Sequence, residues 1–396
     1  QMISDKKTKE QHAGERKSML LFVLLLASIA CVALTVYLKS ENIEFEDIKS
    51  GKLFNTLFLH KQENTQASVT FQFKYEFREN PVFCSYKGNI IQYSNKYLKA
   101  INQKGKEEWQ IELQMQKPVI KSQGDYLLAA DTLGRDVCLI DDNKVKWRNT
   151  VEGDIINADI NSQGYVAVVH QTKNYKSAVS VYDTTGTKIF TSYIGDRYAI
   201  SAKIFNSGKQ VIVNSIDTSG VKAISRIDFM DMLGNVLNEN YSLDSVYPQT
   251  WCFSNGSAIF LNDSSIICSD KDNQNIWKIE YGDESIYASA LIKNKYLVIA
   301  SAGRDDPESG SETEGIKIYG SSGKLLASYE LNGAVSNIST TDDIIAVNTG
   351  AEVYFINTKG KLICTYSSNN EIIQLEMLSN DKAAIITKGN ITVVEI

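Results

Sequence analysis

Side chains that could carry out chemistry are few in this sequence. The three histidines, His12, His60 and His170, are far apart along the chain. There is no HExxH zinc sequence, no GxSxG nucleophile elbow and no Walker-A loop. Residues 320–324, "GSSGK", lack the full P-loop spacing, and residues 270–275, "DKDNQN", lack the glycine and bidentate glutamate of a calcium loop. We therefore predict no catalytic residue, no metal site and no cofactor.

The six cysteines do not suggest metal or redox chemistry either. None of them is in CxxC spacing, which disfavours zinc binding and thioredoxin-type exchange. Cys138, Cys268 and Cys364 fall within predicted strands, where cysteine usually serves as a small apolar side chain. We expect free, structural thiols.

Residues suited to recognition are easier to find. Three short segments between predicted strands combine an aspartate with a tyrosine, and an amphipathic phenol beside a carboxylate suits protein or glycan recognition. The alternative is that these tyrosines begin the next strand and pack inward. The pairs are Asp196 with Tyr198, Asp244 with Tyr247, and Asp283 with Tyr287.

An acidic segment belongs to the same predicted surface. Residues 302–315, "AGRDDPESGSETEG", contain no large apolar side chain, so they predict either a solvated excursion or a clamp for a basic partner. Their first charged residues are Arg304, Asp305 and Asp306. We expect five further residues on this candidate partner-binding face: Arg135, His170, Lys173, Tyr175 and Arg197.

A repeat must position these residues. Residues 96–113, "KYLKAINQKGKEEWQIEL", show an alternating strand, a glycine turn and a second strand, and the chain contains seven such hairpins. Two more predicted strands precede each hairpin. An eighth copy, "NITVVEI" at residues 390–396, has only the first strand of the hairpin. Units of four short strands, about 41 residues apart, indicate a β-propeller.

The start of the predicted propeller supplies the strand that the last unit lacks. Residues 68–77, "SVTFQFKYEF", form a lone alternating strand before the first complete unit. Pairing this strand with residues 391–396 completes the last blade and removes an exposed edge. We predict an all-β, eight-bladed β-propeller over residues 68–396, with seven blades and a stray hairpin as the alternative.

The tryptophans that recur after the hairpin turn, Trp109, Trp147 and Trp277, carry a resemblance. The sequence "QKGKEEW" is similar to the tryptophan-docking repeats of pyrroloquinoline-quinone-like propellers. The chain also resembles BamB-type envelope propellers and an uncharacterised family of membrane-anchored propellers in clostridia and relatives. The resemblance implies that these indoles pack on the neighbouring blade, with Phe190, Tyr329 and Tyr366 as substitutes elsewhere. The quinone cofactor is not implied, because the chain has no adjacent cysteine pair.

The N-terminal region predicts a membrane anchor. Residues 19–38, "MLLFVLLLASIACVALTVYL", carry no charge, and about 20 helical residues span a bilayer core. A cleaved secretory signal is the alternative, although no A-x-A site ends the run; a lipoprotein signal ending at Cys31 fits less well. Basic residues predominate before the segment, which predicts a cytoplasmic tail over residues 1–18. Residues 39–67 then form a stalk on the outer side of the membrane.

These features together predict a single-pass protein of the cell membrane with an extracytoplasmic propeller. Its predicted role is a protein-binding scaffold in a bacterial envelope or cell-surface assembly, with envelope or membrane proteins as partners. The formal net charge of −6 disfavours nucleic acid as a partner. The alternative role is an extracytoplasmic enzyme or ligand sensor that binds a sugar or peptide in the propeller channel.

Overall fold

The computed structural model describes residues 65–205, 208–270, 274–303 and 314–396. The predicted tail, the apolar segment 19–38 and the stalk up to residue 64 lie outside these ranges, as do Arg304, Asp305 and Asp306. Within the described ranges, no helix combines the length and apolar character needed to cross a membrane.

The described chain is all-β and forms eight sheets of four antiparallel strands. Strand β1 (Ser68–Lys74) comes first, and a short 3-10 helix (Phe77–Glu79) leads from it into blade 1. Blades 1 and 2 contain β2 (Val82–Tyr86), β3 (Asn89–Ser94), β4 (Tyr97–Ile101), β5 (Glu107–Glu112), β6 (Pro118–Gln123), β7 (Tyr126–Asp131), β8 (Asp136–Asp141) and β9 (Lys144–Thr150). Blades 3 and 4 contain β10 (Ile155–Ile160), β11 (Val166–His170), β12 (Ser177–Tyr182), β13 (Lys188–Ile194), β14 (Tyr198–Phe205), β15 (Gln210–Asp217), β16 (Ile224–Asp231) and β17 (Val236–Ser242).

The second half of the chain continues the same order. Blades 5 and 6 contain β18 (Gln249–Cys252), β19 (Ala258–Leu261), β20 (Ser265–Ser269), β21 (Asn275–Glu280), β22 (Glu284–Ile292), β23 (Tyr296–Gly303), β24 (Glu314–Gly320) and β25 (Leu325–Leu331). Blade 7 contains β26 (Asn337–Thr340), β27 (Ile344–Asn348), β28 (Glu352–Asn357) and β29 (Leu362–Ser367). Blade 8 contains β30 (Ile372–Met377), β31 (Lys382–Thr387) and β32 (Asn390–Glu395), with β1 as its outermost strand.

The two ends of the domain join in blade 8. Strand β1 pairs antiparallel with β32, from Ser68 opposite Glu395 to Lys74 opposite Asn390. The edge that β32 would otherwise expose is therefore covered. The eight-bladed prediction is confirmed, and the seven-bladed alternative is wrong.

The core lies between neighbouring blades. The middle strands are buried on both faces, so they are nearly continuous apolar runs such as "VAVVH" in β11. Further out, aromatic residues of several fourth strands pack on the hairpin turn of the next blade. A Cβ atom on Gly186, which has a φ of +84°, would lie only 2.6 Å from the Trp147 ring, so only glycine fits this turn.

Other blade junctions vary this contact. The rings of Phe190 and Trp277 pack on Gly234 and Gly323 in the same way. Tyr329 packs on Tyr354 of the next blade, with 6.2 Å between the ring centroids, but Ala327 takes the docking position against the turn glycine Gly360. The strand register likewise puts Cys364, and not Tyr366, at the docking position of blade 7. The tryptophan-docking contact is therefore present at some junctions and replaced by smaller side chains at others.

The strand order also defines the two sides of the ring. Because neighbouring strands are antiparallel, the loops between second and third strands and the loops between blades leave from the same side. We call this side the loop face and the opposite side the turn face. The first strand of each blade is innermost and lines the central channel.

Candidate partner-binding face and central channel

Exposed tyrosines are concentrated on the loop face. Among the residues that the structure describes, four tyrosines have large exposed fractions: Tyr175 (49%), Tyr193 (43%), Tyr198 (48%) and Tyr287 (59%). Tyr175 lies in a loop between second and third strands, Tyr193 near the end of a fourth strand, and Tyr198 and Tyr287 near the start of first strands. All four positions belong to the loop face.

Three of these tyrosines form one surface on blades 3 and 4, which we call the tyrosine patch (Tyr175, Tyr193 and Tyr198). The rings of Tyr175 and Tyr193 lie 5.0 Å apart between centroids, and the Tyr193 hydroxyl donates to Glu152 Oε1 at 2.5 Å. Lys176 connects them to Tyr198, because its ammonium lies 4.7 Å from the centroid of the Tyr198 ring. Tyr193 was not predicted from the sequence. The alternating pattern puts it on an outer strand but does not indicate that its ring is exposed.

A group of charged residues beneath the patch fixes the loop that leads into Tyr198. Arg197 Nη1 donates to both oxygens of Asp196, at 2.8 and 2.9 Å, and Arg197 Nη2 donates to Asp228. Arg226 Nη1 donates to Asp196 at 3.1 Å and to Asp217 at 3.3 Å. We call these five residues the rim cluster. They join the loop between blades 3 and 4 to two strands of blade 4.

Two residues of the predicted face are buried instead. Tyr247 is 1% exposed, and its hydroxyl lies 2.8 Å from Asp244 Oδ1 and 2.9 Å from Ser265 Oγ. The loop before β18 is longer than the loop before β14, and Tyr247 folds back into the blade interface; for this tyrosine the inward-packing alternative was the right one.

His170 is likewise a core residue, contrary to its predicted place on the candidate partner-binding face. It is the last residue of β11 and is fully buried. Its Nδ1 donates to the Gln171 carbonyl at 2.8 Å, and its Nε2 lies 2.9 Å from Ser180 Oγ. Burial lowers the pKa of His170, so the neutral ring serves as a satisfied polar group in the core.

The other predicted residues of this face are distributed around the ring. Arg135 and Asp283 are exposed, and Arg197 is mostly buried in the rim cluster. Asp244 is exposed and accepts from Lys278 Nζ at 2.8 Å. The described residues of the predicted face therefore do not form one continuous site: Tyr175, Asp196, Arg197 and Tyr198 lie together on blades 3 and 4, and Asp244 contacts the buried Tyr247 between blades 4 and 5.

Bulges in the innermost strands add apolar groups at the channel mouth. Blades 3, 6 and 8 each carry an extra residue near the start of the first strand, at Ile156, Tyr287 and Ile373. These side chains are 39%, 59% and 44% exposed. A bulge turns one side chain out of the regular alternation. Tyr287 was predicted for this face. The bulges at Ile156 and Ile373 were not predicted, although two consecutive isoleucines, at 155–156 and 372–373, interrupt the alternation at both places.

Charged residues also meet inside the channel, and sequence analysis missed them. On the first strands of blades 2, 3 and 4, Lys121 Nζ lies 2.9 Å from Asp159 Oδ1, and Lys203 Nζ lies 3.1 Å from Asp159 Oδ2. Trp251 follows on blade 5, with its ring centroid 5.4 Å from Lys203 Nζ. We call Lys121, Asp159 and Lys203 the channel cluster. It lines a cavity of about 510 Å³ that opens among the turns of blades 2 to 6.

Asp159 and Lys203 stay ionised despite their burial. Burial raises the pKa of Asp159, but Lys203 and Lys121 outweigh it and hold the pKa of this carboxyl below its usual value. Burial lowers the pKa of Lys203, yet Asp159 keeps it above its usual value. With the formal charge of Lys121, the cluster carries two positive charges and one negative charge.

Glu376 in blade 8 is the contrasting channel carboxylate. Burial raises its pKa to about 7, although Gln374 and Ser85 donate hydrogen bonds to it. Burial followed by the charge of Glu376 raises the pKa of Cys84 well above its usual range, so this thiol is not a nucleophile. Within the described ranges, no three His, Cys, Asp or Glu residues are placed to hold a metal ion, and the described cysteines are free.

Comparison with known proteins identifies the family of this chain. Residues 60–396 match the family described as a "Family of unknown function (DUF5711)". The chain belongs to this family. No curated protein sequence matches it.

Among solved structures, the chain is similar to BamB from Moraxella catarrhalis, with 11% identity and a TM-score of 0.51 over 83% of this chain and 100% of that one. It is also similar to Sqt1 from Chaetomium thermophilum, with 7% identity and a TM-score of 0.53 over 84% and 97% of the two chains. At these identities the likeness shows a shared propeller fold. The resemblance to BamB-type propellers is confirmed at that level, and the narrower quinone-type and clostridial assignments stay predictions.

Proposed function

We propose that this protein is a membrane-anchored scaffold that presents its propeller outside the cytoplasm and binds envelope or membrane proteins through the tyrosine patch. The observation that carries the proposal is the patch itself: exposed phenols on a base fixed by the rim cluster. Tyrosine contributes large contact area with little loss of conformational freedom, and a rigid base lowers the entropic cost of binding. The similarity to the BamB propeller is compatible with this role.

The test compares two triple variants of the full-length chain. One changes the patch, Tyr175→Ser with Tyr193→Ser and Tyr198→Ser. The other removes exposed apolar groups from the hairpin-turn side of blades 4 and 6, Leu233→Ser with Leu325→Ser and Leu326→Ser, which are 77%, 47% and 48% exposed. Both sets lie at the surface, so both variants should fold.

Crosslinking in intact membranes followed by affinity recovery measures the result. We expect partners recovered with the unchanged chain and with the leucine variant to be lost with the tyrosine variant. Equal recovery from all three chains contradicts the patch proposal.

The anchor rests on residues 19–38, with the basic residues that precede them. Alkaline carbonate extraction of membranes should leave the full chain in the pellet and release a chain lacking residues 19–38. External protease should digest the propeller in intact spheroplasts. Protection until the membrane is broken would reverse the proposed orientation.

A second candidate function is a ligand sensor or enzyme that acts on a sugar or peptide in the channel. The cavity of about 510 Å³ favours it, because this volume is within the range of small-molecule sites. Burial raises the pKa of the Cys252 thiol in its wall to about 12, so the thiol is a poor nucleophile. The cavity walls therefore favour binding over covalent catalysis.

A further inference from the structure

The channel cluster has an excess of positive charge and of hydrogen-bond donors. An ammonium group has three N–H donors. Lys121 Nζ donates to the Ala158 carbonyl at 2.8 Å and to Asp159, and Lys203 Nζ donates to Asp159 alone. Three of the six N–H groups thus have no acceptor among the described residues. The other residues that line the cavity carry no charge at neutral pH.

The surroundings are those of a built site. A smaller cavity of about 180 Å³ shares Lys121, Asp159, Lys203 and Trp251 with the larger one. Its wall includes Ser201, whose buried hydroxyl has no partner within the described part of the chain. A buried polar group without a partner costs free energy, which a ligand can recover.

Trp251 is held in a fixed orientation at the cavity. Its Nε1 donates to Ser289 Oγ at 2.9 Å, and Ser289 Oγ donates to Gln249 Oε1 at 2.5 Å. A fixed indole in a cavity wall offers apolar contact area to a ring or hydrocarbon group. Amides and hydroxyls of Gln123, Asn161 and Ser254 supply polar contacts nearby.

We propose that this cavity binds a small organic acid, with one carboxylate at Lys121 and Lys203 and the remainder of the molecule against Trp251. One carboxylate neutralises the excess charge and accepts the unused N–H donors. A carboxylate in a partly buried site is held by charge-assisted hydrogen bonds, which are stronger than neutral ones. The inference gives a ligand class to the second candidate function and is independent of the scaffold proposal.

Two matched pairs of probes test it on the full chain in detergent. D-Glucuronate is compared with D-glucose, and N-acetyl-alanyl-phenylalanine is compared with its C-terminal amide. Each pair removes the carboxylate, and the two pairs distinguish a sugar acid from a peptide end. Ligand-observed NMR titration at millimolar concentrations measures binding. We expect at least one acid to bind about tenfold or more tightly than its neutral mate.

Lys203→Met removes one positive charge and leaves the Lys121–Asp159 pair at 2.9 Å in place. It should weaken the binding of the acid about tenfold, and Lys121→Met serves as the second variant if the first does not fold. Lys144→Met, an exposed change at the start of β9, is the matched control and should bind like the unchanged chain. The triple tyrosine variant should also bind normally, so this test is separate from that of the scaffold.

Three outcomes would overturn the proposal: no binding of either acid, equal binding of acid and neutral mate, or full binding by both folded lysine variants. Binding of glucuronate alone would identify a sugar acid. Binding of the peptide acid alone would identify a peptide carboxyl end.

Discussion

The rim cluster and the channel cluster use the same kinds of charge in opposite ways. At the rim, two arginines meet three aspartates, and the planar guanidinium groups hold loop and strands together. In the channel, two lysines share one aspartate and keep N–H groups directed at no described acceptor. The rim cluster pairs each of its carboxylates with a guanidinium, although Arg197 Nε has no partner among the described residues, and it positions neighbouring side chains. The channel cluster is open and can accept a further anion.

The largest expected effect is the loss of Arg197 from the rim cluster. Asp228, its partner, has a side chain only 3% exposed. Arg197→Ala leaves this carboxylate buried without its guanidinium partner, which should lower the free energy of unfolding by about 3–5 kcal/mol. Urea denaturation measures the change. Arg226→Ala is the comparison variant, because its partners Asp196 and Asp217 are 58% and 13% exposed, both more than Asp228, and the expected loss is smaller.

Glu376 extends the comparison within the channel, since no lysine among the described residues forms an ion pair with it. Its folded-state pKa of about 7 lies above the unfolded value, so the folded protein binds more protons at intermediate pH. Stability contributed by Glu376 is therefore present below about pH 4 and is lost as the pH rises through about 7.

The matching variant is Glu376→Gln. Relative to the unchanged chain, it should gain on the order of 2 kcal/mol between pH 5 and pH 8, because glutamine does not ionise. Urea denaturation of both chains at the two pH values gives the difference. If the free energy of unfolding varies with pH in the same way for both chains, the pKa of Glu376 is not raised and channel water solvates its carboxyl group fully.

Lys203→Met should have a smaller effect on stability than Arg197→Ala. Asp159 keeps Lys121 as its partner, and removing Lys203 also removes the cost of burying its ammonium. We expect a change on the order of 1 kcal/mol in the free energy of unfolding. A loss as large as that of Arg197→Ala would show that the channel cluster is a structural group like the rim cluster.

The smallest expected effect on stability is that of Tyr198→Ser, because this ring is 48% exposed and lies above the rim cluster. The free energy of unfolding should change by less than about 0.5 kcal/mol. Thermal or urea unfolding checks this value. Tyr247→Ser offers the contrast: its ring is 1% exposed, so its loss should cost several times more.

Prediction from the sequence succeeded where the signal is local. The strand alternation, the turn glycines and the lone strand at residues 68–77 sufficed for the count of eight blades. It left exposed and inward packing open for Tyr247 and failed for His170, because exposure at a strand end depends on loop length and on the neighbouring blade. It also misplaced the turn-docking contact at Tyr329, which lies two residues beyond Ala327, the residue at the position that Trp277 holds in blade 5.

The repeated unit, the number of blades and the scarcity of catalytic side chains can therefore be read directly from the sequence. Which tyrosines are exposed and which charges meet depends on how the blades pack around the ring. Lys121 and Asp159 are 38 residues apart, and Asp159 and Lys203 are 44 apart. Each lies on its own strand with no local signal linking it to the others. They come together because ring closure brings the innermost strands of successive blades side by side around one axis.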